Sequence, residues 1–530
     1  MSCPAWPAAG FATHVESRLR KQSGANGWGL VLVLGLACAV APRTAAASPP
    51  FELVGSTLGS GGFNARTTGA SSASAYFNPA LLTQAKTGLE LGWFVLNDGM
   101  DTTLFARDPA VDVPVTALEQ FEGHFPSVPT TWLQNGCDPA QGGRCVTKLP
   151  ARPRQGQGSS GNTRAYQTFG LVSTVWKRYL TLGIHGMVPI GTFLQGQSFF
   201  ADEREQYFSN SLHPELYSDR LTAMSLAFAA GSHILDWLSV GVGVTLSLTN
   251  TAAAGTFVGD SDHISESLQL NTKINVSTGV APHFGLLIEP IDALDLSLTV
   301  HTPERMDIVT GFSTFLPNGD LQRAERTATL DWQPWTFAFG GALDLVHSEQ
   351  HRFSLVATAT YRLWSEYVNR QGERPLPGYG WSNTLAPVFG LRHVYDNRFS
   401  TFLDATYEPS PVPLQTGRTN YVDNDRYGLS GGVTYELPIK SWGVTLRFGA
   451  QGQLHILSER AQTKLNPTSP QFAGNHYSQL VNDEWVDGAT DNRGNVITAS
   501  NGLQTNNPGW PGFSSKGIIL GAGVQLAILY

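Results

Sequence analysis

The sequence predicts an all-β protein, a fourteen-stranded antiparallel transmembrane β-barrel with an N-terminal segment plugging its lumen. Three observations predict it. The last fifteen residues alternate with a period of two. Strand-like segments recur along the chain with short and long connections in turn. The N-terminus reads as an export leader.

In Lys516–Tyr530, the residues Ile518, Leu520, Ala522, Val524, Leu526, Ile528 and Tyr530 share one face, and Gly517, Gly521, Gly523, Gln525 and Ala527 share the other. No charge interrupts the apolar face, and the chain stops on an aromatic residue. Such a strand fits the closing strand of a barrel that turns apolar side chains to lipid and small or polar ones to the lumen. A terminal strand of a soluble sandwich is the alternative for this segment taken alone.

At the other end, Arg18, Arg20 and Lys21 precede an uncharged run from Trp28 to Ala41, followed by Ala45, Ala46, Ala47 and Ser48. A basic flank, a short apolar core and small residues at the cut make a signal peptide, residues 1–47, cleaved after Ala47. The leader is long, which leaves the start codon open. A lipoprotein would be cut before Cys38, but Gly35-Leu36-Ala37 matches that signal poorly. After Ala47 no eighteen consecutive apolar residues occur, so no transmembrane helix is expected. The formal charge of −8 carries no basic block, so no nucleic-acid partner is expected. Cys3 and Cys38 leave with the leader. Cys137 and Cys145 remain, and a close pair in an exported chain reads as a disulfide closing a small loop; metal ligation is the poorer alternative, since no histidine cluster accompanies them.

The strand-like segments are Thr87–Asn97, Ala165–Trp176, Tyr179–Val188, Leu221–Gly231, Trp237–Thr249, Val276–Ile288, Leu294–Pro303, Trp335–Val346, Phe353–Tyr367, Thr384–Tyr395, Phe399–Tyr407, Tyr427–Leu437, Trp442–Leu457 and the terminal strand. Tight turns such as Lys177-Arg178 and Asp396-Asn397 alternate with long polar loops, as periplasmic turns alternate with extracellular loops. Trp176, Tyr179, Trp237 and Trp442 flank the short turns, and Trp93, Trp335, Trp364 and Tyr367 lie near the long loops. That segregation predicts two interfacial belts. Phe51–Leu82 precedes the first strand, is rich in Gly, Ala and Ser, and has neither sheet periodicity nor the charge of a disordered tail. It is expected to sit in the lumen, so the domains are a plug over 48–86 and a barrel over 87–530.

The mature start, Gly59 to Leu82 with Asn78-Pro79-Ala80, resembles the plug of the long-chain fatty acid transporter (FadL/TodX) family. Gly186-Met-Val-Pro-Ile-Gly191 is similar to that family's third strand and Trp237-Leu-Ser-Val-Gly-Val-Gly243 to its fifth. Tyr361 to Tyr367, Tyr407 to Pro413 and Asp423 to Arg426 resemble later motifs. The chain departs from the family at Ser71 and Ser72, where many members carry acidic residues, and its first and last loops are unusually long.

The resemblance implies passive uptake of hydrophobic molecules, long-chain fatty acids above all, through the outer membrane of a Gram-negative bacterium. The expected partners are membrane lipid and a hydrophobic small molecule, the expected state is a monomer, and no cofactor or metal is expected. Asn78, Pro79 and Ala80 are the plug and gating candidates. Lateral release needs a wall strand that loses ladder bonds. The third strand offers Pro189, which has no N–H, with Gly183, Gly186 and Gly191; Pro189 ending the strand is the other reading. Arg447 lies between Leu446 and Phe448 and should face the lumen. With Arg362 and Arg392 it is a candidate for a ligand carboxylate, or else pairs with lumen acids. Asp423-Asn424-Asp425 could hold calcium in a loop, but the twelve-residue calcium pattern is missing, and a solvated turn is the simpler reading.

No enzyme motif is found: His185 and His301 fall inside strands with no serine motif to join them, and no phosphate loop occurs. A diffusion porin should lack the plug and carry many lumen charges. A structural or secretion-accessory barrel, binding a protein partner through its long loops, is the rival function. Proteolysis of intact cells should cut only within the long loops, such as Asp98–Arg164 or Glu459–Ser515. Cuts at Lys177-Arg178 from outside would overturn this topology.

Overall fold

The computed structural model describes residues 49–56, 61–104, 162–176, 179–190, 213–214, 224–248, 255–258, 269–276, 279–315, 321–368, 374, 381–412, 421–463 and 512–530. The expected leader, Cys137, Cys145, the expected turn at Lys177-Arg178 and Gly191 lie outside them. The first seven barrel strands are β1 (Gly88–Leu104), β2 (Asn162–Trp176), β3 (Leu180–Ile190), β4 (Met224–Leu235), β5 (Leu238–Leu248), β6 (Gly279–Ile291) and β7 (Leu294–His301). The other seven are β8 (Thr336–His347), β9 (His351–Arg362), β10 (Thr384–Tyr395), β11 (Phe399–Glu408), β12 (Arg426–Ile439), β13 (Val444–Thr463) and β14 (Gly512–Leu529). Each pairs antiparallel with its neighbours in chain order, and β14 returns to β1, from Gly88↔Leu529 to Leu104↔Phe513, to close a fourteen-stranded ring.

The period of two decides which face each residue takes. In β14 the even-numbered residues from Ile518 to Tyr530 are exposed on the outer wall, while Ile519, Gly521, Gly523, Gln525 and Ala527 are buried. In β5, Ser239, Thr245 and Ser247 are buried, as the sequence pattern requires. At the tight β10–β11 turn, Asp396 and Asn397 take positive φ values of 51° and 52°. Two central residues with φ > 0 match the right-handed twist of a hairpin's strands, and Asn and Asp tolerate that region best.

Outside the ring, Leu321–Gln333, Glu304–Phe315, Gln269–Val276 and Gly255–Val258 form a four-stranded sheet from the β5–β6 and β7–β8 connections. Two expectations are corrected at the long-loop end. The ninth strand stops at Arg362, and Trp364–Glu366 form a 3-10 turn instead of continuing it to Tyr367. Trp364 and Tyr367 are not belt residues. They are buried with Trp332, Trp381 and Val412, and the Tyr367 and Trp381 rings stack with centroids 3.6 Å apart. Burying four large rings together outweighs keeping two of them on the wall, and this bends the chain off the strand. At the short-turn end Trp176, Tyr179, Trp237 and Trp442 are exposed, as interfacial aromatics should be.

Val524 points outward near the middle of β14, so Val524→Arg should cost about 2–4 kcal/mol in denaturant titrations of the bilayer-inserted barrel. Gln525→Ala, one residue on but facing the lumen, should cost less than half as much; equal costs would contradict the assigned faces.

Candidate functional site in the barrel lumen

The segment before β1 is compact. It contains a short helix α1 (Pro49–Val54), turns at Gly55 and Gly62 with φ of 68° and 51°, a one-turn helix α2 (Ser74–Phe77), and a 3-10 helix over Pro79–Gln84. It bonds to strands on every side of a closed ring, so it lies inside that ring. Ser72 meets His185 on β3 (3.0 Å), and its N–H donates to Glu90 on β1 (3.0 Å). His283 on β6 contacts the Ala75 carbonyl at 2.6 Å. Thr67 bonds Ser297 on β7 and Thr358 on β9. Gln451 and Gln453 on β13 donate to the carbonyls of Val54 and Leu53.

Asn78 has the role of a double clamp. Its Oδ1 accepts from the Ala80 N–H (3.1 Å), capping the 3-10 helix, and its Nδ2 donates to the carbonyls of Arg66 (2.9 Å) and of Leu286 on β6 (3.3 Å). The wall beneath is bare. A Cβ on Gly285 would lie 2.0 Å from Asn78 Oδ1, and one on Gly241 would lie 2.3 Å from the Pro79 carbonyl carbon. Glycines on β5 and β6 thus let Asn78-Pro79 dock against backbone, a close approach that any side chain would block. Asn78, Pro79 and Ala80 are all buried.

The three arginines singled out in the sequence all meet carboxylates of the chain. Arg392 on β10 makes a two-pronged pair with Asp404 on β11, at 2.6 and 3.0 Å, and donates to the Gly61 carbonyl. The same Asp404, fully buried, accepts from the Phe63 N–H and from Asn64 Nδ2. Arg362 on β9 bonds Glu52 (3.1 Å) and Glu408 (2.6 Å), and Arg447 on β13 bonds Glu436 (2.9 Å). Sequence reasoning missed these acids. Asp404 and Glu436 had a signal: they face the lumen on the hairpin partners of Arg392 and Arg447, and Glu436 lies directly opposite Arg447 in the register. Glu52 had none, because its segment has no periodicity. Burial raises its pKa, but Arg66 and Arg362 more than offset this and hold its carboxyl well below the usual range.

Of the lateral-opening candidates, Gly183 and Gly186 pair on both sides of β3, and Pro189 pairs with Tyr166 on β2. β3 pairs with β2 as far as Ile190↔Ala165, but with β4 only over Thr181–Met187. Gly183 leaves room for Leu82, whose Cδ2 would lie 2.5 Å from a Cβ there, and Gly186 leaves room for Phe169. Beside β3, Phe51, Leu53, Val54, Tyr76 and Phe77 pack with Phe94, Leu96, Tyr166, Met187 and Ala227 from β1–β4 in one apolar cluster.

Near the long loops, Asn424 clasps strands together, donating to the carbonyls of Ser458 and Ser515, while Asp425 accepts from the Ser410 N–H. No group of three or more His, Cys, Asp or Glu positioned for a metal occurs among the described residues. Burial pushes Asp423 up to about 7, against Ser410 and Arg460, which lower it.

The sequence matches no protein-family model and no curated protein. Among solved structures it is similar to a Pseudomonas aeruginosa FadL homologue, at 15% identity and a TM-score of 0.50, over 91% of this chain and 98% of that one. It is also similar to the P. putida toluene transporter TodX, at 9% identity and a TM-score of 0.42, over 92% and 99%, and to the CymD monoaromatic hydrocarbon channel, at 11% and 0.40, over 92% and 98%. The first of these likenesses shows a shared fold.

Asp404→Ala would leave the Arg392 guanidinium buried without its counter-charge. It should cost about 3–5 kcal/mol in urea unfolding of the full chain. Adding Arg392→Met should restore at least half of the loss; a double variant as unstable as the single one would show that the pair is not the cause.

Proposed function

We propose that this chain is an outer-membrane channel through which hydrophobic molecules cross passively, with segment 48–86 as its plug and the wall at β3 as the exit. The observation that carries the reading is the apolar cluster inside the barrel, from Phe51 and Tyr76 to Phe94, Tyr166 and Met187, which lies against β1–β4. A channel for water-soluble solutes would have a polar interior. Here the interior beside β1–β4 is greasy, and Tyr166 lies opposite Pro189 in the β2–β3 register.

A solute bound there need not cross the polar outer surface of the membrane again. It leaves sideways into the hydrocarbon layer through the wall at β3, where Pro189 has no N–H to give to a ladder. The plug is tied to the same strand through Ser72 and His185 and through Leu82 against Gly183. A shift of the plug is therefore felt at β3. Long-chain fatty acids are the favoured substrates, since the apolar cluster beside β1–β4 suits an alkyl chain. The proposed setting is a Gram-negative outer membrane, with no catalytic step.

Deleting Phe51–Ser74 should leave a folded barrel that conducts ions across a planar bilayer, while the intact protein conducts little. Equal conductance would sink the plug. Unchanged uptake of labelled oleate by cells carrying the deletion would sink its gating role.

A further inference from the structure

The outer wall over β7–β12 is not evenly covered. At one level the cross-strand row reads Gly341, Ala357, Phe389, Ala405 and Leu429. Two residues nearer the short turns the row is leucine: Leu343, Leu355, Leu391 and Leu403. The small residues leave a groove of about 550 Å³ on this face. Phe389 stands in it 66% exposed, with Ala357 on one side and Ala405 on the other. The ring parts the groove into two tracks.

A second feature lies on the same face of β9 and β10, closer to the short turns. His351 Nδ1 and His393 Nε2 are 3.1 Å apart, and the two rings stack. Phe353 stacks on His393 with centroids 4.1 Å apart, and Tyr395 packs against His351. One imidazole donates and the other accepts, so each keeps a far nitrogen, His351 Nε2 and His393 Nδ1. A further proton on the donor's far nitrogen leaves the contact intact. The pair then carries one positive charge and an N–H at both far nitrogens. Of the acids nearby, Asp344 is matched by Arg352 and His347, and Asp396 by Arg398. Phe353 to Ala357 spans about 13 Å of strand at ~3.3 Å per residue, within the ~15 Å depth of one hydrocarbon leaflet.

We propose that this face holds one phospholipid from the leaflet at the short-turn end, with its phosphate on His351 and His393 and its acyl chains in the tracks on either side of Phe389. A phosphate diester supplies acceptor oxygens for the two N–H groups, and a diacyl lipid supplies one chain for each track. A fatty acid would leave one track bare, and a second copy of this chain brings no phosphate to the imidazoles. The proposal rests on the outer-membrane setting above and not on what the channel carries.

Native mass spectrometry of the full-length protein in detergent with EDTA tests it. The probes are palmitoyl-oleoyl-phosphatidylglycerol and the diacylglycerol with the same chains. One phospholipid should stay bound, and the diacylglycerol should bind about tenfold more weakly. Ala357→Phe fills a track and should weaken phospholipid binding by about tenfold or more, whereas Ala522→Phe, outward on β14, should leave it unchanged. Should Ala357→Phe not fold, Gly341→Val takes its place, since a Cβ there would meet Leu296 at 3.4 Å, an ordinary contact. His351→Gln combined with His393→Gln should bring the phospholipid down to the level of the diacylglycerol and leave the latter where it was. The proposal is overturned, and the channel reading left intact, by any of four results. These are no retained phospholipid, equal binding of the two probes, equal loss in Ala357→Phe and Ala522→Phe, or displacement of the phospholipid by an equal concentration of oleate. A dimer that Ala357→Phe dissolves would also overturn it, because the occupant would be a second copy. If the protein does not fractionate with the outer membrane of cells, the channel reading fails and takes the proposal with it.

Discussion

Everything in this molecule follows from the requirement that no backbone N–H or C=O be left bare in hydrocarbon. Each such group costs several kcal/mol, so a sheet that spans a membrane must have no edge. The pairing of β1 with β14 from Gly88↔Leu529 to Leu104↔Phe513 meets that demand. Closure then creates a second problem on the inside. The ring encloses polar side chains such as Thr358, Arg392, Asp404 and Gln453, all buried. Some of their partners come from neighbouring strands, as Asp404 does for Arg392, and the rest come from the segment within.

The segment within is held from all round the ring. Hydrogen bonds reach it from Glu90 on β1, His185 on β3 and Thr358 on β9, and beside β1–β4 Phe51, Tyr76 and Phe77 pack with Tyr166 and Met187 in one apolar cluster.

How far the sequence revealed this depended on periodicity. The strands were legible because a two-residue repeat survives in the chain itself: Ile518 to Tyr530 and Leu238 to Leu248 show their faces without any partner in view. The tight turn at Asp396-Asn397 was legible from its residue types, and the inward direction of Arg447 from its flanking Leu446 and Phe448. The segment 61–86 has no repeat, so its place in the lumen could be argued only from what it lacks. Its partners could not be argued at all. Asn64 and Asp404 are 340 residues apart, and no local pattern specifies such a contact. The aromatic run at Trp364–Tyr367 misled for a related reason. Its destination was set by Trp332 and Trp381, which lie in other parts of the chain.

That same separation has a consequence for assembly. The residues that fill the lumen precede the whole wall in the chain, yet their partners are spread from Glu90 to Gln453, and the ring cannot shut until β14 reaches β1. Contacts so distant in sequence gain nothing until very large loops have closed, so they form late. The segment made before the wall must wait, unseated, for the last-made strand. Throughout that wait Phe51, Tyr76 and Phe77 have no cluster to join. Their greasy surface is a natural hold for whatever escorts the unfolded chain to the membrane.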